Sequence, residues 1–441
     1  MDNEIILLNT DIDFINISTL FNIEPIGDGT AYIESLTSYL IRLANAHCVS
    51  VGTLINNIIG PTLDKSYVVR SAVNGGNRFY DGAKSLNGID KNSKDLVSTL
   101  ETLTSRNDLE KLTFYSWRYV LTNRNLLKDH LEWCPECLES FKEVYGCYYF
   151  PLLWSVKSVN YCNIHEKRLV SNCPGCKKTI PILHRRSDNE NCPFCGVKLK
   201  LASQDEENTI SQFELFFVEN VNKLIEFTKN LDYKLNREIM SIRFKFIEQS
   251  YETAYNNSLR KELKIPKSTY HYWISGKAVP TIDNLLKFCY LLGITIEGFF
   301  FNEHVQFSKR DIKIGFKSEN TSERRKLNYE KISKELNSFM NIEHPFSMEE
   351  IAQRIKVPKR TLYRKFPDLC KRLSKRYMEE IKNRSLARRV HVESLIEKSV
   401  TELIEINLFP TQKRIEEHLS TNSLLREGYA KKYLIKCLKS I

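Results

Sequence analysis

Apolar residues recur at three- and four-residue intervals along most of the chain, and this periodicity predicts a mainly helical protein. The first clear stripe contains Leu36, Tyr39 and Leu43 and predicts a helix from about residue 32 to 46. From Ile210 onward the helical pattern continues almost to the last residue. The sequence contains no run of 18 apolar residues, so a membrane-spanning helix is not expected.

Other residue types interrupt this helical pattern in the first half of the chain. Gly60-Pro61 is expected to end a second helix that starts near Val51. Two stretches, 144–153 and 197–201, are β-prone and predict small ribbons within a module at 131–203. The fold class we expect is therefore mainly α and multidomain, with a small α/β module.

Eight potential metal ligands in this module form four pairs, each with two intervening residues, and predict that it is a double zinc ribbon. The pairs are Cys134 and Cys137, Cys162 and His165, Cys173 and Cys176, and Cys192 and Cys195. A two-residue gap lets a tight turn direct two ligands at one ion, and two pairs complete a tetrahedral shell. The simplest assignment gives the first two pairs to one Zn²⁺ and the last two to another. Four protein ligands leave no open position for water, so both ions are expected to be structural.

Disulfides are the competing interpretation of these cysteines. A histidine cannot form one, and the acidic start of the chain, with Asp2 and Glu4, does not resemble a signal peptide. A reducing compartment fits better, and paired cysteines there indicate metal sites. His130 lacks the paired spacing and is not expected to be a ligand.

Length and charge predict several domains with different partners. A chain of 441 residues should hold two to four domains. Residues 1–240 carry 26 Lys and Arg against 30 Asp and Glu, whereas residues 241–441 carry 39 against 24. The basic rear favours a polyanion such as DNA, because neutralised phosphates release counterions. A solvated lysine-rich surface is the alternative, and the acidic front is a candidate protein-binding surface.

Three segments of the rear have the pattern of a helix-turn-helix. In the first, at about 240–300, Pro266 separates two short helices and Gly276 ends the second. Its second helix resembles the recognition helix of Cro/repressor-type domains, in which an aromatic at the position of Trp273 packs inward. By that resemblance the candidate DNA-binding residues are Lys267, Ser268, Thr269, His271, Tyr272 and Lys277.

The second segment, at about 346–385, is more basic. Ser347 and Glu350 form a predicted capping box, and Leu362 and Phe366 share an inward face. That geometry leaves a set of residues outside that can grip phosphate or read bases. The candidate DNA-binding residues are Lys359, Arg360, Thr361, Tyr363, Arg364 and Lys365. A plain helical bundle remains the alternative for the first segment, and a solvated charged face remains the alternative for the second.

The third segment, at about 409–441, is the weakest of the three. Ile415 and Leu419 are expected to face inward, and a turn near Thr421 leads to a terminal lysine-rich helix.

Four features of the chain together resemble the TniQ/TnsD family of transposon target-site selectors. They are the string from Glu34 to Ala44, the segment Trp133–Leu138, the run from Trp154 through Cys176, and the segment Arg364–Cys370. The first three cover about residues 31–176. The rear resembles the longer TnsD-type members, although the Cro-like unit has no fixed place in the family pattern.

The resemblance implies a DNA-binding adaptor that selects an attachment site and recruits an AAA+ ATPase of the TnsC type. It further implies possible contacts with transposase subunits, two structural zinc ions, and a bacterial cytoplasmic protein that joins the nucleoid when bound to DNA. No enzymatic activity, membrane or small-molecule substrate is expected. The expected domains are 1–130, 131–203, 204–310, 320–400 and 401–441.

Three other functions stay open at this point. A TniQ-type adaptor delivered by an RNA-guided CRISPR effector would need little DNA specificity of its own, which the long basic rear disfavours. A zinc-containing transcription regulator would need no ATPase partner. A nuclease or recombinase is disfavoured because no Walker-type loop, HExxH string or compact acidic cluster occurs.

Overall fold

The computed structural model describes residues 18–63, 78–202, 210–228, 235–255, 258–301, 327–419, 425 and 428–439. The chain is mainly α-helical, as the periodicity predicted, and divides into two compact units, residues 1–313 and 314–441. The turn predicted near Thr421 lies outside the described residues.

The first unit contains the cysteine pairs and the first helix-turn-helix. Its described helices are α1 Leu36–Ala46, α2 Val51–Leu54, α3 Gly60–Thr62, α4 Arg78–Asp81, α5 Lys91–Thr104, α6 Pro135–Tyr145, α7 Gln212–Thr228, α8 Arg237–Tyr255, α9 Leu259–Glu262, α10 Lys267–Ile274, α11 Ile282–Leu292 and α12 Ile296–Phe301. Two short antiparallel strands, β1 Tyr161–Cys162 and β2 Lys167–Arg168, pair Tyr161 with Arg168.

Helix α1 is the most deeply buried element near the N-terminus. The Ser35 hydroxyl accepts a hydrogen bond from the Ser38 N–H and caps the helix. Leu36, Tyr39 and Leu43 are all fully buried, which confirms the predicted apolar stripe. The helix begins at Leu36 because Ser35 takes the extended backbone conformation of an N-cap.

Two local predictions in the first unit are wrong, and a third is confirmed only in part. Gly60-Pro61 does not end the second helix, because a π-helical turn at Ile55–Ile59 carries it on to Thr62. Residues 144–153 form no ribbon, since Val144 lies in α6, which the sequence analysis did not predict. In the stretch 197–201, Lys198 forms an antiparallel β-bridge with Asn191, but residues 199–201 form a 3₁₀ turn. Pro135 at the first turn and Gly146 in the left-handed region favour the helix α6 over a strand.

Helix α7 joins the two halves of the first unit. The Trp117 indole N–H donates to the Thr228 hydroxyl at 2.8 Å, and the Asn220 side-chain oxygen accepts from the Ile296 N–H at 2.8 Å. The helices that follow pack around Phe244, which is fully buried. The Cro-like segment is therefore continuous with the N-terminal core.

The second unit contains two separate hydrophobic clusters joined by one helix. Its described helices are α13 Tyr329–Ser338, α14 Met348–Ile355, α15 Lys359–Lys365, α16 Pro367–Glu405, α17 Gln412–His418 and α18 Gly428–Lys439. One cluster is built by α13, α14, α15 and the start of α16. The other is built by the end of α16, α17, Leu425 and α18.

Candidate metal centres and nucleic-acid interface

The first cluster of ligands is assembled from helix α6 and the β1–β2 hairpin. Cys134 caps α6 and Cys137 lies in its first turn, while Cys162 and His165 come from the hairpin. The Sγ atoms of Cys137 and Cys162 are 3.4 Å apart, and His165 Nδ1 is 3.1 Å from Cys137 Sγ. A tetrahedral zinc shell needs S–S separations of about 3.8 Å, so the donor set and spacing fit Zn²⁺.

The second cluster joins the pairs that the sequence predicted. Cys173 Sγ lies 3.5 Å from Cys195 Sγ, and Cys176 Sγ lies 3.8 Å from Cys192 Sγ. Each cluster brings its four ligand atoms within 4.8 Å of one another. The structure brings the eight predicted ligands together as two sets of four, and each set could hold a metal ion.

Three of the four ligand pairs share one local turn. The residue after the second ligand is left-handed in each, with φ of 53° at Glu166, 59° at Lys177 and 77° at Gly196. Gly175 occupies a position where a Cβ would lie 2.8 Å from the Val197 side chain. We infer that each short ligand sequence determines the backbone conformation of its own turn.

Hydrogen bonds within the two clusters shift the pKa values of their cysteine thiols. Hydrogen bonding to the backbone N–H of Val197 lowers the pKa of the Cys195 thiol. Side-chain hydrogen bonds with Cys137 and Cys162 hold the pKa of the Cys134 thiol far below its usual range. The same hydrogen bonds with Cys134 raise the pKa of the Cys137 and Cys162 thiols. Because a metal binds the thiolate, the lowered pKa of Cys195 favours ion binding, whereas the pKa shifts within the first cluster oppose one another.

Outer contacts orient the first metal centre. His165 presents Nδ1 to the sulfurs, while its Nε2 lies 3.9 Å from the Glu136 carboxylate. That separation is too long for a hydrogen bond, and the Glu136 carboxylate pairs with Lys167 at 2.5 Å. The Trp133 indole N–H donates to the Leu199 carbonyl at 3.1 Å, so the segment before Cys134 is tied to the end of the second module.

The N-terminal motif on which the TniQ resemblance rests is a buried polar junction. Glu34 is fully buried, and both of its oxygens accept from the Arg42 guanidinium at 2.8 Å. The Ser38 hydroxyl donates to Glu34 at 2.9 Å and accepts from the Phe150 N–H at 3.0 Å. The Asn189 amide donates to the same hydroxyl at 3.1 Å. The motif therefore locks α1 against segments flanking both metal centres.

The first helix-turn-helix consists of α9 and α10. Trp273 is buried and stacks on Phe244 with ring centroids 5.7 Å apart, so the inward position inferred for this aromatic is confirmed. Gly276 lies two residues after the end of α10 and has a left-handed backbone, with φ of 71°. The predicted contact residues fall into two groups. Lys267, Ser268, His271, Tyr272 and Lys277 are exposed, whereas Thr269 is half-buried.

The second helix-turn-helix consists of α14 and α15. The capping box at Ser347 and Glu350 is confirmed, and Leu362 is buried as predicted. Of the predicted contact residues, Lys359, Arg360, Arg364 and Lys365 are exposed, while Thr361 and Tyr363 are half-buried. The Tyr363 hydroxyl lies 2.8 Å from the Ser374 hydroxyl, so this ring packs toward α16 and faces solvent only in part.

The two units share one turn sequence, and the sequence analysis placed each turn but did not identify the repeat. Lys264–Lys267 and Lys356–Lys359 both read lysine, branched apolar residue, proline, lysine. The first lysine is left-handed in both, with φ of 53° and 57°. The branched residue is buried in both, and the proline precedes the outer helix. Aligning the two Pro-Lys strings would have revealed the repeat.

The third segment forms helices but shows a less complete helix-turn-helix. Thr411 caps α17, and Ile415 is fully buried as predicted. Ala430 and Leu434 anchor α18, and its lysines lie on the other face of the helix. Exposed positions of α18 include Lys431, Lys432, Lys436 and Lys439.

The fold and these sites define a mainly helical, multidomain protein with two clusters able to hold metal ions. The model of the TniQ family matches residues 25–169, which include the Glu34–Arg42 junction and the first metal centre. This part of the chain is therefore similar to TniQ, a family associated with transposon target-site selection and DNA binding. No curated protein matches the chain. Within the described residues, every helix is too short or too polar to cross a bilayer.

Proposed function

We propose that this protein is a DNA-binding adaptor that selects the target site of a transposon and recruits an AAA+ ATPase of the TnsC type. TnsD-type members of the family provide the nearest functional pattern, because they too add DNA-binding domains to a TniQ segment. The proposal assigns the chain no catalytic step. Contacts with transposase subunits would follow from the ATPase partner.

The observation that carries the proposal is the repeated helix-turn-helix. One turn sequence occurs twice, and each copy presents an outer helix whose exposed residues are cationic or hydrogen-bonding. Arg and Lys side chains on such a helix can contact phosphates and the guanine edge in a major groove. Two units on one chain raise affinity for a site that both can reach, through effective concentration.

The metal centres support a different part of the proposal. Both clusters are closed sets of four protein ligands, which suits structural Zn²⁺ better than a catalytic ion. Zinc there would hold α6 and the ribbon turns in one arrangement and supply folding free energy. The front of the chain, acidic overall, would then offer an ordered surface to the ATPase.

Binding to a genomic-fragment library at near-physiological salt tests the proposal. The purified protein is mixed with the fragments, and recovered DNA is sequenced. Strong enrichment of one extended site supports autonomous target selection. Recovery without preference would contradict it and favour delivery by an RNA-guided effector.

Association with the ATPase needs its own experiment. Co-purification with the TnsC-type protein encoded nearest the gene, in the presence of the enriched DNA, is expected. Site-specific DNA binding without any ATPase association would instead point to a transcription regulator.

A further inference from the structure

We propose that helix α16 is a rigid spacer that fixes both the distance and the rotational phase between two DNA-contacting units. The duplex it fits carries two contact sites on the order of one helical turn apart. This inference rests on the proposed DNA-binding function and adds the geometry of the site.

The two ends of α16 belong to different hydrophobic clusters. Leu369, Cys370 and Leu373 pack into the cluster of the second helix-turn-helix. Val392, Ile396, Val400 and Leu403 pack into the cluster that contains α17 and α18. Every side chain from residue 381 to 391 is exposed, and in this stretch the helix is a connector that no cluster covers.

The connector has the composition of a stiff helix. Residues 368–405 contain neither glycine nor proline, so no position favours a kink. Glu380 pairs with Arg384 at 2.6 Å and Arg389 with Glu393 at 2.8 Å, each four residues apart on one face. Such pairs support a solvent-exposed helix by a few tenths of a kcal/mol each. We therefore expect the helix to hold its two ends at a fixed distance and orientation instead of acting as a flexible linker.

The length of the connector matches the repeat of a duplex. Cys370 and Ile396 mark the middle of the two buried stripes, and at 1.5 Å per residue they lie about 39 Å apart along the axis. One turn of B-DNA spans about 34–36 Å. Two units held at this separation can reach successive major grooves of one duplex.

Charge along the connector favours the same partner. Residues 381–391 carry Lys382, Arg384, Arg388 and Arg389 and no acidic residue. Helix α18 presents four exposed lysines at the far end, and α15 presents Arg360 and Arg364 at the near end. A polyanion would meet cationic side chains at the uncovered stretch 381–391 and at the two ends, whereas residues 392–405 carry four Glu and one Lys.

Two insertion variants, each made between Ser385 and Leu386, distinguish a rigid spacer from a flexible linker. Two alanines rotate the far unit by about 200° and lengthen the helix by about 3 Å; four alanines rotate it by only about 40° but lengthen it by about 6 Å. The probe is a 40-base-pair duplex from the fragment most enriched in the library. We expect the two-residue insertion to weaken binding at least about tenfold and to erase the footprint of α18, because avidity needs both units in register. The longer insertion should retain most of the affinity.

Equal affinity for the parent and both insertions, or a loss that simply grows with insertion length, would overturn the spacer. Circular dichroism and thermal unfolding confirm that both clusters remain folded in each variant. The double variants R360A/R364A and K431A/K432A identify which unit contacts DNA. If only the first weakens binding, the spacer proposal fails while the DNA-binding function stands. If neither does, neither unit joined by α16 contacts DNA and the spacer proposal fails, while any DNA binding that persists must come from another part of the chain, such as α10.

Discussion

Removing two guanidinium groups from α15 gives the most direct test of the proposed DNA interface. Arg360 and Arg364 are exposed on the outer helix of the second helix-turn-helix, one turn apart. Neither forms an ion pair among the residues that the structure describes. By contrast, Lys359 lies 3.6 Å from the Glu349 carboxylate and Lys365 lies over the Tyr329 ring. The two arginines are therefore the cations of α15 that are most available to phosphate.

The expected magnitude follows from counterion release. Each phosphate contact contributes about 0.9 to the slope of log affinity against log salt. Removing two contacts with R360A/R364A should lower that slope by about 1.8. Between 50 and 200 mM salt, the parent should therefore lose about tenfold more affinity than the variant.

The assay is fluorescence anisotropy of a labelled duplex titrated at several salt concentrations. K331A/K334A is the matched control, because it removes two exposed cations from α13, which contributes neither helix of the pair. Its slope should stay close to that of the parent, and both variants should keep the parental unfolding midpoint. An unchanged slope for R360A/R364A, or an equal drop in the control, would refute the phosphate-contact reasoning.

The remaining predictions concern the first unit. Cys173→Ser should reduce the zinc content from two ions to one per chain, measured by elemental analysis, and should lower the unfolding midpoint. The control is Cys289→Ser, which alters a buried residue away from both clusters and should keep both ions. Glu34→Ala should cost about 3–5 kcal/mol in urea unfolding, since it leaves the Arg42 cation buried without its partner; a loss under 1 kcal/mol would contradict this. Burial lowers the pKa of Lys128 to about 8, so its contribution to stability is present above the unfolded pKa and is lost as pH falls through 8. Lys128→Met should flatten the dependence of the unfolding free energy on pH between 8 and 10, and an unaltered dependence would show that another group causes it.

The metal centres were predictable because their information is local. A two-residue gap between ligands forces a tight turn, and that turn occurs after Cys162, Cys173 and Cys192 alike. The pairing of turns into two centres also followed from sequence order. Helix α6 was not predicted, because the cysteine spacing is typical of zinc ribbons. In the structure, Cys134 is the N-cap and Pro135 is the first residue of this helix.

The helix-turn-helix units were predictable for the same reason. A capping residue, a proline and an apolar stripe each act over a few residues, so Ser347, Leu362 and Trp273 took the expected places. The half-burial of Tyr363 was not predictable, because it depends on Ser374 in the next helix. Exposure on a short helix is decided by the neighbours that cover it.

The sequence by itself determined the helical periodicity, the ligand pairs, the turns and the basic charge of the rear. Each of these follows from contacts within about ten residues. Only the tertiary structure decided that Asn189 joins Glu34, Ser38 and Arg42 in one buried junction, because Asn189 lies 151 positions from Ser38 in the chain. The tertiary structure also decided that the two ends of α16 pack into different hydrophobic clusters and that its middle, residues 381–391, is exposed. The helical pattern of residues 367–405 is the same whether or not a core lies beside it, since burial is a property of neighbours far away in sequence.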